Sequence, residues 1–490
     1  MEQASSAVAQ HEVVIAGGGP TGLMLAGELR LAGVDVAIVE PRPSHALEGL
    51  RAGGLHIRAL ELLEQRGLAE RFLAEGQLHT RAPFAGSTLD LSDAPSRHPH
   101  FLALWQTHVE RLLGAWASAL GATMYRGVEL CDFADEGTRV QLQLSGGRAL
   151  ACQWLVGCDG GRSQVRQRAG IAFPGWEPAT SYLIAELELG AEPPWGARYG
   201  SHGAQALARL DDGRARVVLS GPYVEAQGAP TLDDVRAALH AAYGSDFGLR
   251  RARNAARFSD VTRQAEAYRA GRVLLAGDAA HVHSPVGGQG LNLGLQDAVN
   301  LGWKLGAVVR GTLPESVLDS YHMERHAAGA RVLRTTMGLS ALQRGDARTG
   351  ALRETLAELM TAPAARAAGV ALSAGLDVRY ELGDGHPLLG RRMPDLAFIT
   401  SEGPVYVPQL LREARPLLLA LTGTLPVGPF PAHLCTRTAH HDGPWCVPGV
   451  GEVAAPTAVL VRPDGHVAWV GEGSERGLRE AIARWVGANA

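Results

Sequence analysis

The feature that most constrains the fold lies near the amino end, where a glycine-rich turn follows a short apolar run. Residues 11–40 read HEVVIAGGGPTGLMLAGELRLAGVDVAIVE. Val13 to Ala16 have the pattern of a buried strand, and G-x-G-x-x-G follows at residues 17–22. A helical segment then runs to Gly33, and a second strand spans Val36 to Val39. This order of strand, turn, helix and strand is what a dinucleotide-binding α/β unit requires.

Each glycine of this turn has a physical reason. Gly17 permits the tight turn, Gly19 lets the backbone approach a pyrophosphate, and Gly22 lets the helix lie close to the strand. The amino terminus of the helix then faces the phosphates, and an acid eighteen residues beyond Gly22 can grip a ribose hydroxyl. The sequence therefore predicts a dinucleotide site formed by Gly17, Gly19, Pro20, Thr21, Gly22 and Glu40. The alternative is a tight turn in an α/β sheet without a ligand.

A second glycine-rich stretch, residues 272–305, reads RVLLAGDAAHVHSPVGGQGLNLGLQDAVNLGWKL. An apolar run ends at Gly277-Asp278, and a glycine loop leads into a helix that contains more glycines, each costing about 1 kcal/mol against alanine. Small residues recur every four positions and therefore share one helix face: Gly290, Gly294, Ala298, Gly302 and Gly306. Such a face lets a backbone or a cofactor come close, and Gly22 with Ala26 offers a matching small surface. Close helix packing without a ligand is the alternative.

Together these motifs resemble those of the class A FAD-dependent aromatic hydroxylases. The strand ending at Asp278 is similar to the second FAD motif of that family, and residues 156–163, VGCDGGRS, are similar to a third motif. All three stand in the family's order over about 290 residues. The later segments HPLLG at 386–390 and RPDGH at 462–466 resemble the subgroup that oxidises aromatic polyketides, including angucycline-type hydroxylases.

The resemblance implies noncovalent FAD and assigns positions around it. Asp278 would accept a hydrogen bond from the ribityl chain, and Pro285 would lie near flavin C4a as the catalytic position. The helix start near Leu291 would face the pyrimidine edge, where its partial positive charge favours the reduced anion. The chain departs from the family at Pro41, because the family often has a basic residue directly after the ribose acid; Arg42 would substitute for it. The remaining cofactor positions implied are Arg51, Gln106, the backbone near Val128, Asp159, Gly288, Gly290 and Asn292; for Arg51 and Gln106 a merely solvated side chain is the alternative.

The function implied is that of a monooxygenase. NADPH would reduce FAD, O₂ would be captured as a C4a-hydroperoxyflavin, and a multicyclic phenolic polyketide of antibiotic biosynthesis would be hydroxylated. Since the chain has no second G-x-G-x-x-G, NADPH is expected to bind transiently. The same scaffold could act as an epoxidase, a Baeyer–Villiger oxygenase or an antibiotic-inactivating hydroxylase. A flavin-carrying protein that only binds an aromatic ligand is the non-enzymatic alternative.

The expected fold is α/β: a Rossmann-like FAD-binding domain, an inserted β-sheet substrate domain and a C-terminal thioredoxin-like domain. We assign residues 1–175 and 267–383 to the FAD-binding domain, 176–266 to the β-rich domain and 384–490 to the last domain, which lacks C-x-x-C. Within the insert, Asp211 to Gly213 predict a hairpin, and Thr231 with Asp234 resembles a capping box. The last helix is expected from about Ser474 to Trp485.

Composition excludes several classes of function. The formal net charge is -4 without a basic stripe, which disfavours nucleic acid, and no apolar run reaches the roughly 20 residues of a membrane span. The first eleven residues lack a secretory signal, and the five cysteines form an odd set, so we expect reduced thiols in a cytoplasmic monomer or homodimer. His281 and His283, like the later histidines, lack metal-site spacing, and no metal is expected.

Overall fold

The amino-terminal part of the chain forms a parallel sheet with helices around the glycine turn. The computed structural model describes residues 9–47, 51–210, 212–225, 228–422 and 428–487. The first elements are β1 (Ala9–Ala16), α1 (Pro20–Leu31), β2 (Val36–Glu40), β3 (Gly54–Leu55), α2 (Ile57–Glu64), α3 (Ala69–Leu73), β4 (Gln77–His79), β5 (Arg81–Phe84), β6 (Ser87–Asp90), β7 (Phe101–Ala103), α4 (Gln106–Ala119), β8 (Thr123–Arg126), β9 (Leu130–Asp135), β10 (Val140–Leu144), β11 (Arg148–Gly157) and α5 (Gln164–Arg168).

The next elements form the insert, beginning with a two-residue strand, β12 (Gly175–Trp176). They continue with β13 (Thr180–Glu188), β14 (Gly196–Gly200), β15 (Gly203–Arg209), β16 (Ala215–Pro222), α6 (Leu232–Tyr243), β17 (Arg251–Ser259) and β18 (Thr262–Gln264). The strands order as β14-β15-β16-β13-β17 in an antiparallel sheet. One face, with Leu183 and Val217, packs on α6 in a buried core, which leaves the other face free for a ligand.

Two local predictions fall in this insert. Leu210 N donates to Arg214 O across the hairpin turn, as the sequence predicts, while Asp211 lies outside the described residues. The capping box is confirmed, because Asp234 N donates to Thr231 Oγ1 and Thr231 N donates to Asp234 Oδ2.

The chain then returns to the parallel sheet and adds long helices. The elements are β19 (Arg269–Ala270), β20 (Val273–Leu275), β21 (His281–Val282), α7 (Gln289–Val309), α8 (Val317–Ala341), α9 (Ala347–Leu359) and α10 (Pro363–Ala374). The main sheet has the order β19-β20-β11-β1-β2-β8, in which β20, β11, β1, β2 and β8 run parallel. The carboxyl ends of these strands therefore meet at one edge, where ligands bind in open α/β sheets. The predicted α/β class with a Rossmann-like sheet is confirmed.

The glycine face of α7 packs against α1. A Cβ atom would lie 2.3 Å from Thr21 Oγ1 if built at Gly294, and 2.4 Å from Glu28 Cβ if built at Gly302. The predicted close approach is therefore present, and its partner is a helix. Gly22 was predicted to form part of the matching surface on α1, and this is wrong. A Cβ built at Gly22 would face the carbonyl of Gly17 in the turn below α1.

The carboxy-terminal elements build a separate mixed sheet. They are β22 (Ala397–Thr400), β23 (Gly403–Tyr406), α11 (Val407–Leu410), β24 (Leu417–Ala420), β25 (Cys435–Thr438), β26 (Trp445–Val447), β27 (Gly451–Val453), β28 (Ala458–Val461), β29 (Val467–Gly471) and α12 (Leu478–Trp485). The sheet order is β25-β24-β28-β29, with β24 and β25 parallel and the other pairs antiparallel.

The start of the last helix was expected at Ser474, and this is wrong. Helix α12 begins at Leu478 after Gly477, which adopts a left-handed φ of +77°. Trp469 Nε1 donates to Arg476 O at 2.9 Å and so holds the preceding residues in a turn.

Buried charges join the carboxy-terminal domain to α7 and α8. Arg462 donates to both oxygens of Glu324 at 2.7 and 2.8 Å, and Lys304, the one lysine of the sequence, donates to Glu324 at 2.8 Å. Asn300 of α7 also donates to Asp464, at 3.1 Å. Because these groups are removed from water, each depends on its partner. The network therefore fixes how the last domain sits on the long helices.

Three further observations concern the whole described chain. All five cysteines are unpaired. Among the described residues, no group of three or more His, Cys, Asp or Glu side chains is placed to hold a metal ion. No helix in the described ranges is both long and apolar enough to cross a membrane.

Candidate functional site

A cavity of about 960 Å³ lies where the carboxyl edge of the parallel sheet meets the free face of the inserted sheet. It brings together residues that are up to 327 positions apart in the sequence, from Ala16 to Gln343. The predicted positions that line it are Gly17, Gly19, Pro20, Thr21, Glu40, Arg42, Arg51, Gln106, Asp159, Asp278, Pro285, Gly288, Gly290 and Leu291. Gly22, Val128 and Asn292 are the predicted positions that do not line it.

The glycine turn leaves room for a ligand beside the amino terminus of α1. Gly17 has a φ of +106°, and a Cβ there would lie 2.3 Å from the carbonyl oxygen of Cys158. A Cβ on Gly19 would meet no atom within 4 Å, so this position opens into the cavity. Since the first amides of a helix have no partners within it, they attract an anion such as a pyrophosphate.

Glu40, at the end of β2, accepts hydrogen bonds from two residues, Gly18 and Arg42. Gly18 N donates to Glu40 Oε2 at 2.6 Å, and Arg42 Nε donates to Oε1 at 2.8 Å. Burial alone would raise the pKa of Glu40, but the hydrogen bonds from Arg42 and Gly18 lower it below its ordinary value. The carboxylate is therefore ionised and suited to accept hydrogen bonds from a ribose.

Sequence reasoning missed Glu110, which connects Arg42 to Gln106. Arg42 Nη1 donates to Glu110 Oε2 at 2.9 Å, and Gln106 Nε2 donates to Oε1 at 2.8 Å. Glu110 is fully buried, and burial raises its pKa. The available signal was the four-residue spacing from Gln106 on α4, which places both side chains on one helix face.

Asp278 lies in a short 3-10 turn after β20 and is exposed where it faces the cavity. Although its side chain opens into the cavity, the surrounding protein partly desolvates the carboxyl of Asp278 and raises its pKa. Behind this turn, Asp297 Oδ2 accepts from Gly277 N at 3.1 Å and from His281 Nε2 at 2.7 Å. Arg325 Nε donates to Asp297 Oδ1 at 2.7 Å. Asp297 was not predicted as a site residue, although it lies within the second glycine-rich stretch, residues 272–305.

Asp159 has one carboxylate oxygen engaged and one free. Oδ2 accepts from Val165 N at 3.1 Å, while Oδ1 is buried with no hydrogen-bond partner in the part of the chain that the structure describes. Burial raises the pKa of this carboxyl. A buried acceptor without a partner costs about 1–3 kcal/mol, so a donor from a ligand would relieve it.

The loop before α7 forms the wall of the cavity beside the inserted sheet. Pro285 starts this loop, and Gly287 and Gly288 follow with φ values of +77° and +62°, which only glycine adopts at little cost. The amino terminus of α7, with Gly290 and Leu291, therefore opens into the cavity. This places a partial positive charge at the same wall.

Three predicted positions serve the site indirectly. Asn292 accepts from His56 N at 2.8 Å and donates to Gly288 O at 2.9 Å, so its buried side chain supports the loop. Val128 N donates to Glu40 O at 3.3 Å, while the next residue, Glu129, lines the cavity. Gly22 lies beneath the turn, as described above.

The inserted sheet supplies the apolar part of the cavity. Tyr182 and Ile184 of β13, Val218 of β16 and Phe258 of β17 line it, together with Ala204. Arg51 lies over the Phe258 ring with its guanidinium carbon 5.9 Å from the ring centroid. This wall can receive a flat apolar ligand against the loop at Pro285, because concave ligand sites bind mainly through apolar area.

The residues present fit a flavin dinucleotide. The cavity is continuous from the ribose acid Glu40 to the start of α7 and passes the open Gly19 turn. Asp159 Oδ1 and the carboxylate of Asp278 offer acceptors along this path. A ligand with hydroxyls between a pyrophosphate and a flat ring system matches these groups in order.

Two protein-family models match the chain. One, described as an FAD binding domain, matches residues 10–336, and the other, described as the C-terminal part of aromatic-ring hydroxylases, matches residues 386–489.

Relatives of similar length cover almost the whole chain. A 12-dehydrotetracycline 5-monooxygenase/anhydrotetracycline 6-monooxygenase of Streptomyces rimosus is 41% identical over 98% of this chain and 99% of its own. A rifampicin monooxygenase of Streptomyces venezuelae is 42% identical over 97% and 99%. Among solved structures, an aromatic hydroxylase from angucycline biosynthesis superposes with a TM-score of 0.89 at 37% identity and covers 98% of this chain and all of that one.

Proposed function

The chain belongs to the FAD-dependent aromatic-ring hydroxylases, and we propose that it inserts one oxygen atom of O₂ into a multicyclic phenolic polyketide at the expense of NADPH. The observation that carries the proposed substrate class is the apolar sheet face that adjoins the cofactor part of the cavity. Residues such as Ile184, Val218 and Phe258 offer a broad surface for fused rings. The relatives named above act, by their names, on tetracyclines and rifampicin, which supports the same class.

The cofactor would be held by groups spread along the cavity. In this proposal the amides at Gly19 and the start of α1 hold the pyrophosphate, Glu40 holds the adenosine ribose, and Asp278 accepts from the ribityl chain. The redox chemistry, hydride acceptance from NADPH and reaction with O₂, would be supplied by FAD bound to these residues.

The chain's own residues would act around the reacting ring. We assign Pro285 to the border of the flavin ring, where its loop separates the cofactor from the substrate wall. The amino terminus of α7 would stabilise negative charge on the reduced ring. The phenol of the substrate supplies its own electron density, so the proposed reaction requires no strong protein base.

We also propose a separate role for each domain. Residues 1–175 and 267–383 would bind FAD, and residues 176–266 would bind substrate. Residues 384–490 would hold the long helices in place through the buried contacts of Arg462 and Asp464. The five unpaired cysteines support a reducing, cytoplasmic location as part of this proposal.

The test supplies the purified holoenzyme with NADPH and ¹⁸O₂. Tetracyclic angular or linear polyphenols are compared with single-ring acids such as hydroxybenzoate. One labelled oxygen in a multi-ring product, with NADPH consumption coupled to product, is the expected result. Coupled turnover only with the small acids would reject the substrate class and leave the FAD assignment standing.

A second candidate function is antibiotic inactivation. The observation that favours it is the rifampicin monooxygenase, which is as similar to this chain as the tetracycline enzyme. Incubation of rifampicin with the holoenzyme and NADPH, followed by a growth-inhibition assay of the product, separates the two candidates. Loss of inhibition would favour inactivation. NMR spectra of the products distinguish hydroxylation from epoxidation or ring insertion, because all three reactions add the same mass of one oxygen atom.

A further inference from the structure

We propose that Ser220 and Gln343 form a subsite for an uncharged hydrogen-bonding group, a hydroxyl or a carboxamide, on a terminal ring of the substrate. This inference rests on the proposed function, because it refines the substrate that the cavity accepts. The two residues come from different parts of the fold, Ser220 from β16 and Gln343 from the segment just after α8.

Both residues present oxygen atoms without partners. Ser220 Oγ and Gln343 Oε1 are buried, and neither has a hydrogen-bond partner among the described residues. They converge on Gly203: a Cβ built there would lie 3.2 Å from Ser220 Oγ and 3.8 Å from Gln343 Oε1. Since a buried polar atom without a partner is unfavourable, a site with two such atoms is completed when a ligand supplies the missing groups.

The subsite adjoins the cavity. Gln343 lines it directly, and Ser220 pairs across the sheet with Tyr182, which lines it as well. Ala204, the residue after Gly203, also lines the cavity and has only a methyl side chain. A ring edge can therefore lie on this part of the sheet, next to Gln343 and to the strand that carries Ser220.

The charge around the subsite selects for a neutral group. Among the described residues that line this end of the cavity, Tyr182, Ala204 and Gln343, none is charged. The neighbouring Arg353 donates to the carbonyls of Leu342 and Arg344. Its guanidinium also lies over the Tyr199 ring, so these groups already hold it. A carboxylate would find no cation among these lining residues, whereas a hydroxyl or a carboxamide can both donate and accept.

The subsite is tied to the reacting end of the cavity. The Tyr182 side chain lies near Ser284 and Ser340, and Ser340 Oγ donates to Ser284 Oγ at 2.7 Å. Ser284 immediately precedes Pro285. Tyr182 therefore lies between the subsite and the Pro285 loop. A substrate group bound at Ser220 and Gln343 would then determine which ring carbon faces the cofactor.

The test uses the holoenzyme and two tetracyclic polyphenols of one skeleton. One carries a carboxamide on its terminal ring, and the other has hydrogen at that carbon. Binding is measured as the change in flavin absorbance, and the ratio of product to NADPH consumed is measured for each ligand. Gln343→Leu and Ser220→Ala should each weaken the carboxamide ligand by about tenfold and leave the other ligand's Kd unchanged.

The control is Val218→Ala, which removes apolar area from the same wall and should weaken both ligands alike. Gln343→Leu and Ser220→Ala should also lower the ratio of product formed to NADPH consumed for the carboxamide ligand, because its ring would no longer be held in position beside Pro285. If the parent turns over both ligands and the two variants keep its preference, the subsite is wrong. A parent that turns over neither ligand overturns the proposed function itself.

Discussion

Replacing Gly302 by alanine should destabilise the protein although alanine is the better helix former. A Cβ at this position would lie 2.4 Å from Glu28 Cβ and 3.1 Å from Glu28 Cγ. Glu28 cannot swing away, because both of its oxygens accept from Arg66 at 2.6 and 2.8 Å in a fully buried ion pair. The new methyl group must therefore push α1 and α7 apart or strain that pair.

The magnitude follows from two opposing effects. The higher helix propensity of alanine should raise the free energy of unfolding by about 1 kcal/mol, while overpacking a tight core should lower it by about 1–3 kcal/mol. Strain on the buried pair of Glu28 adds to the cost, so we expect a net loss of about 1–2 kcal/mol. Gly338 in α8 is the matched control, because it is exposed and a Cβ there would meet nothing within 4 Å. Gly338→Ala should stabilise by about 0.5–1 kcal/mol.

The assay is urea unfolding of both variants and the parent at one saturating FAD concentration, followed by circular dichroism. The two substitutions should move the midpoint in opposite directions. If Gly302→Ala is as stable as the parent, the packing interpretation of the glycine face is wrong. A large loss of FAD affinity without a loss of stability would instead indicate that this face serves the cofactor.

Three further outcomes are expected. Asp278→Ala should weaken FAD binding by roughly 10- to 150-fold, since a charged acceptor contributes about 1.5–3 kcal/mol, and titration of the apoenzyme with FAD would expose an error as an unchanged Kd. Glu324→Gln should destabilise by about 3–5 kcal/mol, because it weakens the pairing of buried cations; a parental urea midpoint would show that the pair is dispensable. Burial lowers the pKa of His283 and of His466 from 6.5 to about 4, so the unfolded state binds more protons between these values. Stability should therefore be full above pH 6.5 and fall as the pH drops to 4, and a constant midpoint across this window would contradict the assignment.

The nucleotide unit could be predicted because its signals are local. The turn at Gly17 needs a positive φ and a bare α-carbon, and both requirements follow from glycine alone. The strand before it and the acid at Glu40 follow at fixed spacings along the same segment. Asp278 could be predicted for a different reason, which is the resemblance of its motif to a known family. The structure places Asp278 on the cavity wall.

Partners that come from distant segments could not be predicted. Asp297 lies twenty residues beyond Gly277, and only the packing of α7 under the turn shows that the two are bonded. Asn292 stands at the predicted helix start, but which way its side chain turns depends on β3 and the His56 backbone. The partner of the glycine face was likewise misjudged at Gly22, because a period of four gives a helix face and not the identity of what covers it.

Among the described residues, none of the carboxy-terminal domain lines the cavity. The domain is nevertheless connected to the turn that carries Gly277 and Asp278. The His466 ring lies 4.3 Å from the ring of Tyr380, whose hydroxyl accepts from Arg325 at 3.1 Å. Arg325 in turn holds Asp297, which accepts from the amide of Gly277. Buried ion pairs add little net stability compared with apolar packing, so their value in this chain of contacts is geometric. Each of these buried contacts permits few alternative side-chain arrangements. The position of the Asp278 turn therefore depends on how the carboxy-terminal domain packs on α7 and α8.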